Sequence, residues 1–172
     1  MSMNDLTISE ILFEQFCKDN SILYSRIERE QNRTPDYEVC FGEHHIIAEV
    51  KQTDQNEKDK ELREQVRSRG TASGWEESGR RVRIKIDSAK NQLKYKECPA
   101  ILVLYDNVPI GSVDADDIKT AMYGHETIRL SIFENPDGRS VEIENVGFGS
   151  GRKFTQICNT TFSGIALLYK VW

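Results

Sequence analysis

The chain has 172 residues, of which 38% are hydrophobic, and a formal net charge of -5. This size and composition predict one compact domain with a sizeable core. The negative charge argues against a protein that coats nucleic acid indiscriminately, because phosphate neutralisation requires a basic surface. The longest apolar stretch near the end, residues 162–172, is too short to cross a membrane, and the acidic, polar start does not resemble a signal peptide. We therefore expect a soluble cytoplasmic protein without a membrane partner.

Cysteines and histidines do not form a zinc-binding pattern. The four cysteines are dispersed without a C-x-x-C pair, and two of the three histidines, His44 and His45, are adjacent. In a strand, adjacent side chains point to opposite faces, so these two could not hold one metal. The sequence favours reduced thiols over a zinc enzyme.

The first predicted element is a helix. Apolar residues recur at helical spacing from Leu6 to Phe16, which predicts a helix that ends near Lys18, with Thr7 or Ser9 as its cap. A short strand and a polar connection are expected to follow.

A β-hairpin comes next. Apolar and polar residues alternate over 37–41, Gly42 and Glu43 supply a turn, and residues 45–50 form the returning strand.

The composition then changes sharply over residues 54–83, which we interpret as a charged insertion. It predicts a charged helix to about Arg67 with almost no apolar face, followed by a mobile loop whose only large apolar anchor is Trp75. Basic residues in and after this insertion are candidates for binding nucleic acid, although an ordinary solvated loop is the alternative. The candidates are Arg67, Arg69, Arg80, Arg81, Arg83, Lys90 and Lys94.

A second core helix and a buried strand follow the insertion. The helix is predicted from Ile84, Ile86, Ala89, Leu93 and Tyr95, and it ends before Pro99. Residues 100–105 are apolar on both faces, which predicts a central strand.

A β-rich extension over residues 126–172 completes the chain, after a short capped helix at 114–124. Paired strands are predicted at 128–133 and 141–143, and a last strand at 162–169. The order of elements predicts an α/β fold, with a central mixed β-sheet flanked by helices and extra C-terminal strands.

Two carboxylates and a lysine form the candidate catalytic group. Glu49 and Lys51 are separated by one residue in a predicted strand, so their side chains emerge on one face. The hairpin brings Asp36 alongside Glu49, and two carboxylates suit Mg²⁺, for which Mn²⁺ is expected to substitute. Lys51 can orient a water and stabilise charge on a phosphate. Each residue alone has a structural explanation, but unpaired charges in so apolar a strand are costly, which favours function.

This pattern resembles that of the PD-(D/E)XK nuclease superfamily, in the form of Pro35-Asp36, a gap of twelve residues and Glu49-Val50-Lys51. The resemblance covers residues 6–105 and implies a restriction-endonuclease-like core, in which a helix precedes a three-stranded meander, a further helix and a strand. It implies Mg²⁺-dependent hydrolysis of phosphodiester bonds, expected to act on DNA as an endonuclease in restriction, defence or repair, with RNA left open.

The resemblance also implies further site residues. A metal-binding acid on the first helix is expected at Glu14, with Glu10 as the alternative, and a catalytic polar residue on the later helix is expected at Gln92, with Lys90 as second choice. The exonuclease branch has Gln followed four residues later by Tyr, whereas Tyr95 follows Gln92 after two intervening residues. The charged insertion is not a standard part of the family's core.

Other functions stay open at this point. A catalytically silent nucleic-acid-binding or assembly domain of the same fold is the main alternative, and an unrelated α/β enzyme acting on a small molecule or RNA is the third. Many members of the superfamily dimerise, so the strands from Ile128 onward are candidates for a homodimer interface.

Overall fold

The computed structural model describes residues 6–28, 34–93, 98–108, 113–136, 138–154, 161 and 163–169. The helices within these ranges are α1 Ile8–Asp19, α2 Glu57–Arg69, α3 Arg80–Leu93 and α4 Ala115–Tyr123. The strands are β1 Leu23–Arg26, β2 Tyr37–Phe41, β3 His44–Thr53, β4 Ala100–Asp106, β5 Glu126–Asn135, β6 Gly138–Phe148 and β7 Gly164–Leu168. Lys94 and Tyr95, both singled out in the sequence, lie outside the described residues.

The main sheet is mixed and has five strands in the order β1-β2-β3-β4-β7. β1, β2 and β3 form an antiparallel meander, and β4 and β7 are parallel to β3 and to each other. The parallel step from β3 to β4 runs through α2 and α3, as such a step requires a long crossover. The predicted mixed α/β architecture, with a sheet flanked by helices, is confirmed.

Two separate cores cover the two faces of this sheet. The core beneath α1 contains Phe13, Cys17, Tyr37, Val39, Ala48, Val50 and Val103. The core beneath α3 contains Ile47, Val82, Ile86, Ala89, Leu93, Ala100, Leu102 and Leu104, with Val113 and Ala121 beside them. Since side chains alternate along a strand, Val50 faces α1 whereas Glu49 and Lys51 face α3.

Helix α1 begins as the sequence predicts. Thr7 is its N-cap and forms a capping box with Glu10, which satisfies two backbone N–H groups at the start of the helix. The helix ends one residue after the predicted Lys18.

Helix α3 differs from its prediction at the start. It begins at Arg80, and its buried stripe is Val82, Ile86, Ala89 and Leu93. Ile84 was expected in the core, but 56% of its surface is exposed. Two residues along a helix correspond to a turn of about 200°, so Ile84 lies on the side opposite Val82 and Ile86.

The charged insertion forms α2 and an extended connection. Asn56 caps the start of α2, and Gly70, with φ of 76°, ends it in the left-handed conformation that glycine adopts at low cost. Trp75 was expected to anchor the connection, but 77% of its surface is exposed. The backbone carbonyl of Trp75 instead accepts a hydrogen bond from Lys58.

Strands β5 and β6 form a separate two-stranded antiparallel sheet, which we call the ribbon. Both strands are longer than predicted, and a bulge interrupts their register at Arg129 and Leu130. The last strand, β7, is shorter than predicted and lies at the edge of the main sheet. None of the helices in the described ranges combines the length and apolar character needed to cross a membrane.

Candidate active site

Two carboxylates meet on the α3 side of the sheet, as the hairpin predicts. The register of β2 and β3 pairs Tyr37 with Ala48, so Asp36, immediately before β2, comes opposite Glu49. Asp36 is half-buried, and its Oδ2 accepts a hydrogen bond from the backbone N–H of Val50 at 2.9 Å. Glu49 is completely buried, with an exposed fraction of 0%.

Lys51 links the carboxylates to helix α3. Its Nζ forms an ion pair with Glu49 Oε1 and donates a hydrogen bond to Gln92 Oε1 at 2.8 Å. The amide nitrogen of Gln92 donates in turn to the carbonyl of Thr34 at 3.4 Å. The structure therefore brings together the four residues that were predicted to be catalytic, from β3, α3 and the residue before β2.

The carboxyl group of Glu49 lacks part of the hydrogen bonding that burial requires. Its Oε2 is buried and has no hydrogen-bond partner among the described residues. Burial, and then the neighbouring charge of Asp36, raise the pKa of Glu49 to about 7, although Lys51 and the backbone N–H of Asp36 act in the opposite direction. A buried carboxylate in this condition is stabilised by any cation that can approach it.

A divalent cation fits this donor set. In the described part of the chain no group of three or more His, Cys, Asp or Glu side chains is arranged to hold a metal ion. Mg²⁺ commonly takes only one or two protein carboxylates and fills its other positions with water and phosphate oxygens. The pair of Asp36 and Glu49 meets that smaller requirement, since one oxygen of Glu49 has no partner in the described ranges.

Lys85 lies near the candidate site, although the sequence reasoning did not single it out. It lies seven residues before Gln92 on α3, so the two share one side of the helix. Burial lowers the pKa of Lys85, the charge of Asp54 raises it, and the charge of Lys51 lowers it further. A second amine therefore lies within the electrostatic field of Lys51. The spacing of seven residues between Lys85 and Gln92 could have indicated this position. It was not distinguished from the many other basic residues in the same segment.

Glu14, the expected third metal ligand, is held on the opposite side of the sheet. It lies on α1, is mostly buried, and accepts hydrogen bonds from the hydroxyls of Tyr37 at 2.9 Å and Tyr24 at 3.3 Å. Arg26 completes its surroundings through an ion pair. The alternative, Glu10, accepts from the backbone N–H of Thr7 at 2.7 Å. Neither α1 acid is therefore brought to Asp36 and Glu49, because α1 packs on the face that Val50 occupies.

Arg81 and Arg83 are placed inside the protein's own ion-pair networks. Arg81 bonds Asp59 on α2 and Glu76, and Arg83 bonds Glu77. The exposed fractions of the two arginine side chains are only 11% and 10%. These two guanidinium groups therefore do not form part of an exposed basic surface, and that they bind nucleic acid stays a prediction.

The remaining basic candidates are more accessible. Arg67 and Arg69 are exposed in the last turn of α2, and Arg80 is exposed at the first position of α3. Lys90 is half-buried and lies about 200° around α3 from Gln92, on a different side of the helix. Their binding to nucleic acid stays a prediction.

Asp59 is a buried acid whose surroundings contrast with those of Glu49. Burial opposes its ionisation, but the hydrogen bonds from Arg81 and the backbone of Asn56 hold the pKa of Asp59 below its ordinary value. The same carboxylate completes the capping box of α2, accepting from Asn56 N at 2.8 Å. Asp59 therefore fixes the insertion against α3.

Comparison of this chain with protein family models, with curated proteins and with solved structures gives no match.

Proposed function

We propose that this chain is a metal-dependent nuclease that hydrolyses phosphodiester bonds, with DNA as the expected substrate. The observation that carries the proposal is the completely buried Glu49, whose Oε2 is unpaired among the described residues, beside Asp36 and Lys51. An acid left in this condition costs stability, and such a cost is typical of sites that bind a cation or a substrate.

Asp36 and Glu49 are the residues that would hold Mg²⁺ or Mn²⁺. The cation supplies a Lewis acid for the scissile phosphate and lowers the pKa of a bound water. Asp36 would be oriented for this role by its hydrogen bond from the backbone of Val50.

Lys51 has a separate role in the proposed reaction. Its ammonium group would stabilise the negative charge that develops on the phosphate and orient the attacking water. Gln92 would position Lys51 through their hydrogen bond of 2.8 Å, and the bond from Gln92 to Thr34 would hold the amide in place.

The same features support placing the chain in the PD-(D/E)XK superfamily with a restriction-endonuclease-like core. A helix, a three-stranded antiparallel meander, a further helix and a parallel strand follow one another as the resemblance implies, with α2 inserted between the meander and α3. The position of Glu14 departs from the expected pattern, so the proposal depends on a two-carboxylate site.

The test is a cleavage assay with matched buried glutamates. Purified protein is incubated with supercoiled, linear and single-stranded DNA and with RNA, in Mg²⁺, Mn²⁺ or EDTA. Glu49→Gln and Lys51→Met are compared with Glu14→Gln, a change to another buried glutamate that lies on the opposite face. We expect metal-dependent cleavage by the wild type and by Glu14→Gln, and its loss in the other two variants.

Two results would contradict the proposal. If the wild type cuts none of these substrates and binds neither Mg²⁺ nor Mn²⁺ by calorimetry, the silent nucleic-acid-binding or assembly domain becomes the better explanation. Cleavage that persists in Glu49→Gln would remove this site from the mechanism.

A further inference from the structure

The ribbon formed by β5 and β6 has one strongly apolar face. Its register places six aliphatic side chains on that face, paired as Ile128 with Val146, Leu130 with Ile143, and Ile132 with Val141. All six are more than half exposed, with exposed fractions from 51% to 65%. A two-stranded sheet has no second layer with which to bury such a face.

The opposite face of the ribbon is mainly polar. It includes Arg129 opposite Asn145 and Ser131 opposite Glu142. Ser131 also donates a hydrogen bond to Glu144, the extra residue at the bulge. Apolar and polar side chains therefore alternate along the ribbon, as in strand pairs that are covered on one face and solvated on the other.

The two ends of the apolar face are defined by specific contacts. Near the turn, Arg139 and Glu134 form an ion pair at 3.0 Å. At the base, the rings of Phe148 and Tyr123 of α4 are 5.7 Å apart, and Lys119 lies over the Phe148 ring. The apolar face is thus a bounded patch between an ion pair and an aromatic anchor.

The base of the ribbon is closely fitted to the end of α4. The backbone N–H of Gly149 donates to the carbonyl of His125 at 2.7 Å, and His125 N–H donates to Ser150 at 3.1 Å. A Cβ on Gly124 would lie 2.8 Å from the carbonyl oxygen of Gly149, so the two segments meet without room for a side chain. The ribbon is therefore presented from a fixed base.

We propose that this apolar face binds the same face of a second copy of the chain, so that two ribbons stack into a four-stranded sandwich around a two-fold axis. An isologous contact buries both faces at once, and aliphatic faces of paired strands interdigitate at about 10 Å separation. The six side chains of the patch carry no charge, so an apolar surface is a better partner for them than a charged one.

The size of the patch is sufficient for a specific dimer. Six aliphatic side chains that are each more than half exposed present on the order of 500 Å² of apolar surface. Contact between two such faces and their polar rims would bury on the order of 1,000–1,500 Å² of accessible surface, which reaches the range of specific protein interfaces.

The test is the mass of the full chain in solution, measured by size-exclusion chromatography with light scattering at micromolar concentrations. We expect the wild type at twice the chain mass of 19.8 kDa. Ile143→Glu places a charge at the centre of the contact, and we expect it to halve the mass. Leu130→Glu, on the facing position of the register, should do the same.

The matched control is Arg129→Glu, which changes a charge on the polar face of the same strand. It should remain dimeric, and circular dichroism should show that all variants are folded, since the substituted side chains are exposed. A wild type at the mass of one chain, a series of open-ended larger species, or a dimer unaffected by both glutamate variants would overturn the proposal. None of these outcomes depends on nuclease activity.

Discussion

Glu49 and Asp59 are both buried acids, yet their surroundings shift their pKa values in opposite directions. Asp59 receives hydrogen bonds from Arg81 and from the backbone of Asn56, and its pKa lies below the ordinary value. Glu49 has one oxygen unpaired within the described structure and a second carboxylate beside it, and its pKa rises to about 7. Burial alone therefore does not distinguish an acid that stabilises a fold from one that serves a site.

The difference lies in the charges beside each acid. Each accepts hydrogen bonds from one cationic side chain and one backbone N–H, but Glu49 also has the carboxylate of Asp36 next to it. Two well-placed donors outweigh the cost of burying Asp59, so removing either partner leaves a charge in the interior. At Glu49, the contact with Lys51 does not outweigh burial and the repulsion of Asp36. A divalent cation would supply the missing positive charge at Glu49, whereas the surroundings of Asp59 already include Arg81.

The largest effect that should distinguish Glu49 from Asp59 is on cleavage activity. Glu49→Gln should lower cleavage by about a thousandfold, equivalent to about 4 kcal/mol, because it removes a ligand of the proposed cation. Asp59→Asn should leave the cleavage rate per folded molecule nearly unchanged. The measurement is the initial rate of DNA cleavage in Mg²⁺, and similar losses in both variants would contradict a different role for the two acids.

Stability should show the reverse order. Asp59→Ala leaves the guanidinium of Arg81 with one fewer partner in a side chain only 11% exposed, so it should lower the free energy of unfolding by about 3–4 kcal/mol. The double variant Asp59→Leu with Arg81→Met should recover part of that loss, since no buried charge is left unpaired. Urea unfolding at pH 7 measures both, and equal losses in the single and double variants would contradict the interpretation.

The pH dependence of stability should differ in sign between the two acids. A native pKa of about 7 for Glu49 means that, between its ordinary value of 4.5 and about 7, the native state holds a proton that the unfolded chain has released. Its contribution to stability is therefore complete below pH 4.5, falls by roughly 3 kcal/mol as pH rises to about 7, and is constant above that.

Metal-free protein in EDTA provides the measurement. The free energy of unfolding of the wild type minus that of Glu49→Gln should fall across this pH window, and added Mg²⁺ should stabilise only the wild type. A difference that does not change with pH would show that Glu49 ionises normally. The lowered pKa of Asp59 has the opposite consequence, with stability lost as pH falls through its native pKa.

The smallest expected effect concerns Lys85. Lys85→Met should lower the rate constant kcat/KM for cleavage by about tenfold, or about 1.4 kcal/mol, since its charge acts on the site from the neighbouring turns of α3. Lys85→Arg keeps the charge and should retain most of the activity. If Lys85→Met cleaves as well as the wild type, the amine is a structural neighbour of the site only.

Local patterns account for the elements that could be predicted from sequence. The cap and periodicity of α1, the alternation in β2 and the apolar run of β4 each lie within a few residues of chain, and each is present in the structure. The pairing of Asp36 with Glu49 was predictable for the same reason, because a short turn at Gly42 fixes the register of the hairpin.

The features that could not be predicted from the sequence depend mainly on contacts between distant segments. The face of the sheet against which α1 packs decides the surroundings of Glu14, and the spacing of residues within α1 does not contain that information. Likewise, Asp59, one of the two partners of Arg81, lies 22 residues earlier in the chain, so the role of Arg81 in joining α2 to α3 could not be predicted from the local charge. The prediction that Ile84 lies in the core was wrong because the helical phase of α3 was assigned from the wrong starting residue.

The hydrogen bond between Lys51 and Gln92 spans 41 residues and has a consequence for a chain that is still being synthesised. Asp36, Glu49 and Lys51 leave the ribosome before the whole insertion, α3 and β4. Until α3 and β4 arrive, Glu49 remains hydrated, so its pKa stays near the ordinary value and Lys51 lacks its second partner. An incomplete chain thus carries Asp36 and Glu49 without the residues that bury them. The candidate site is therefore assembled only when most of the main sheet has formed.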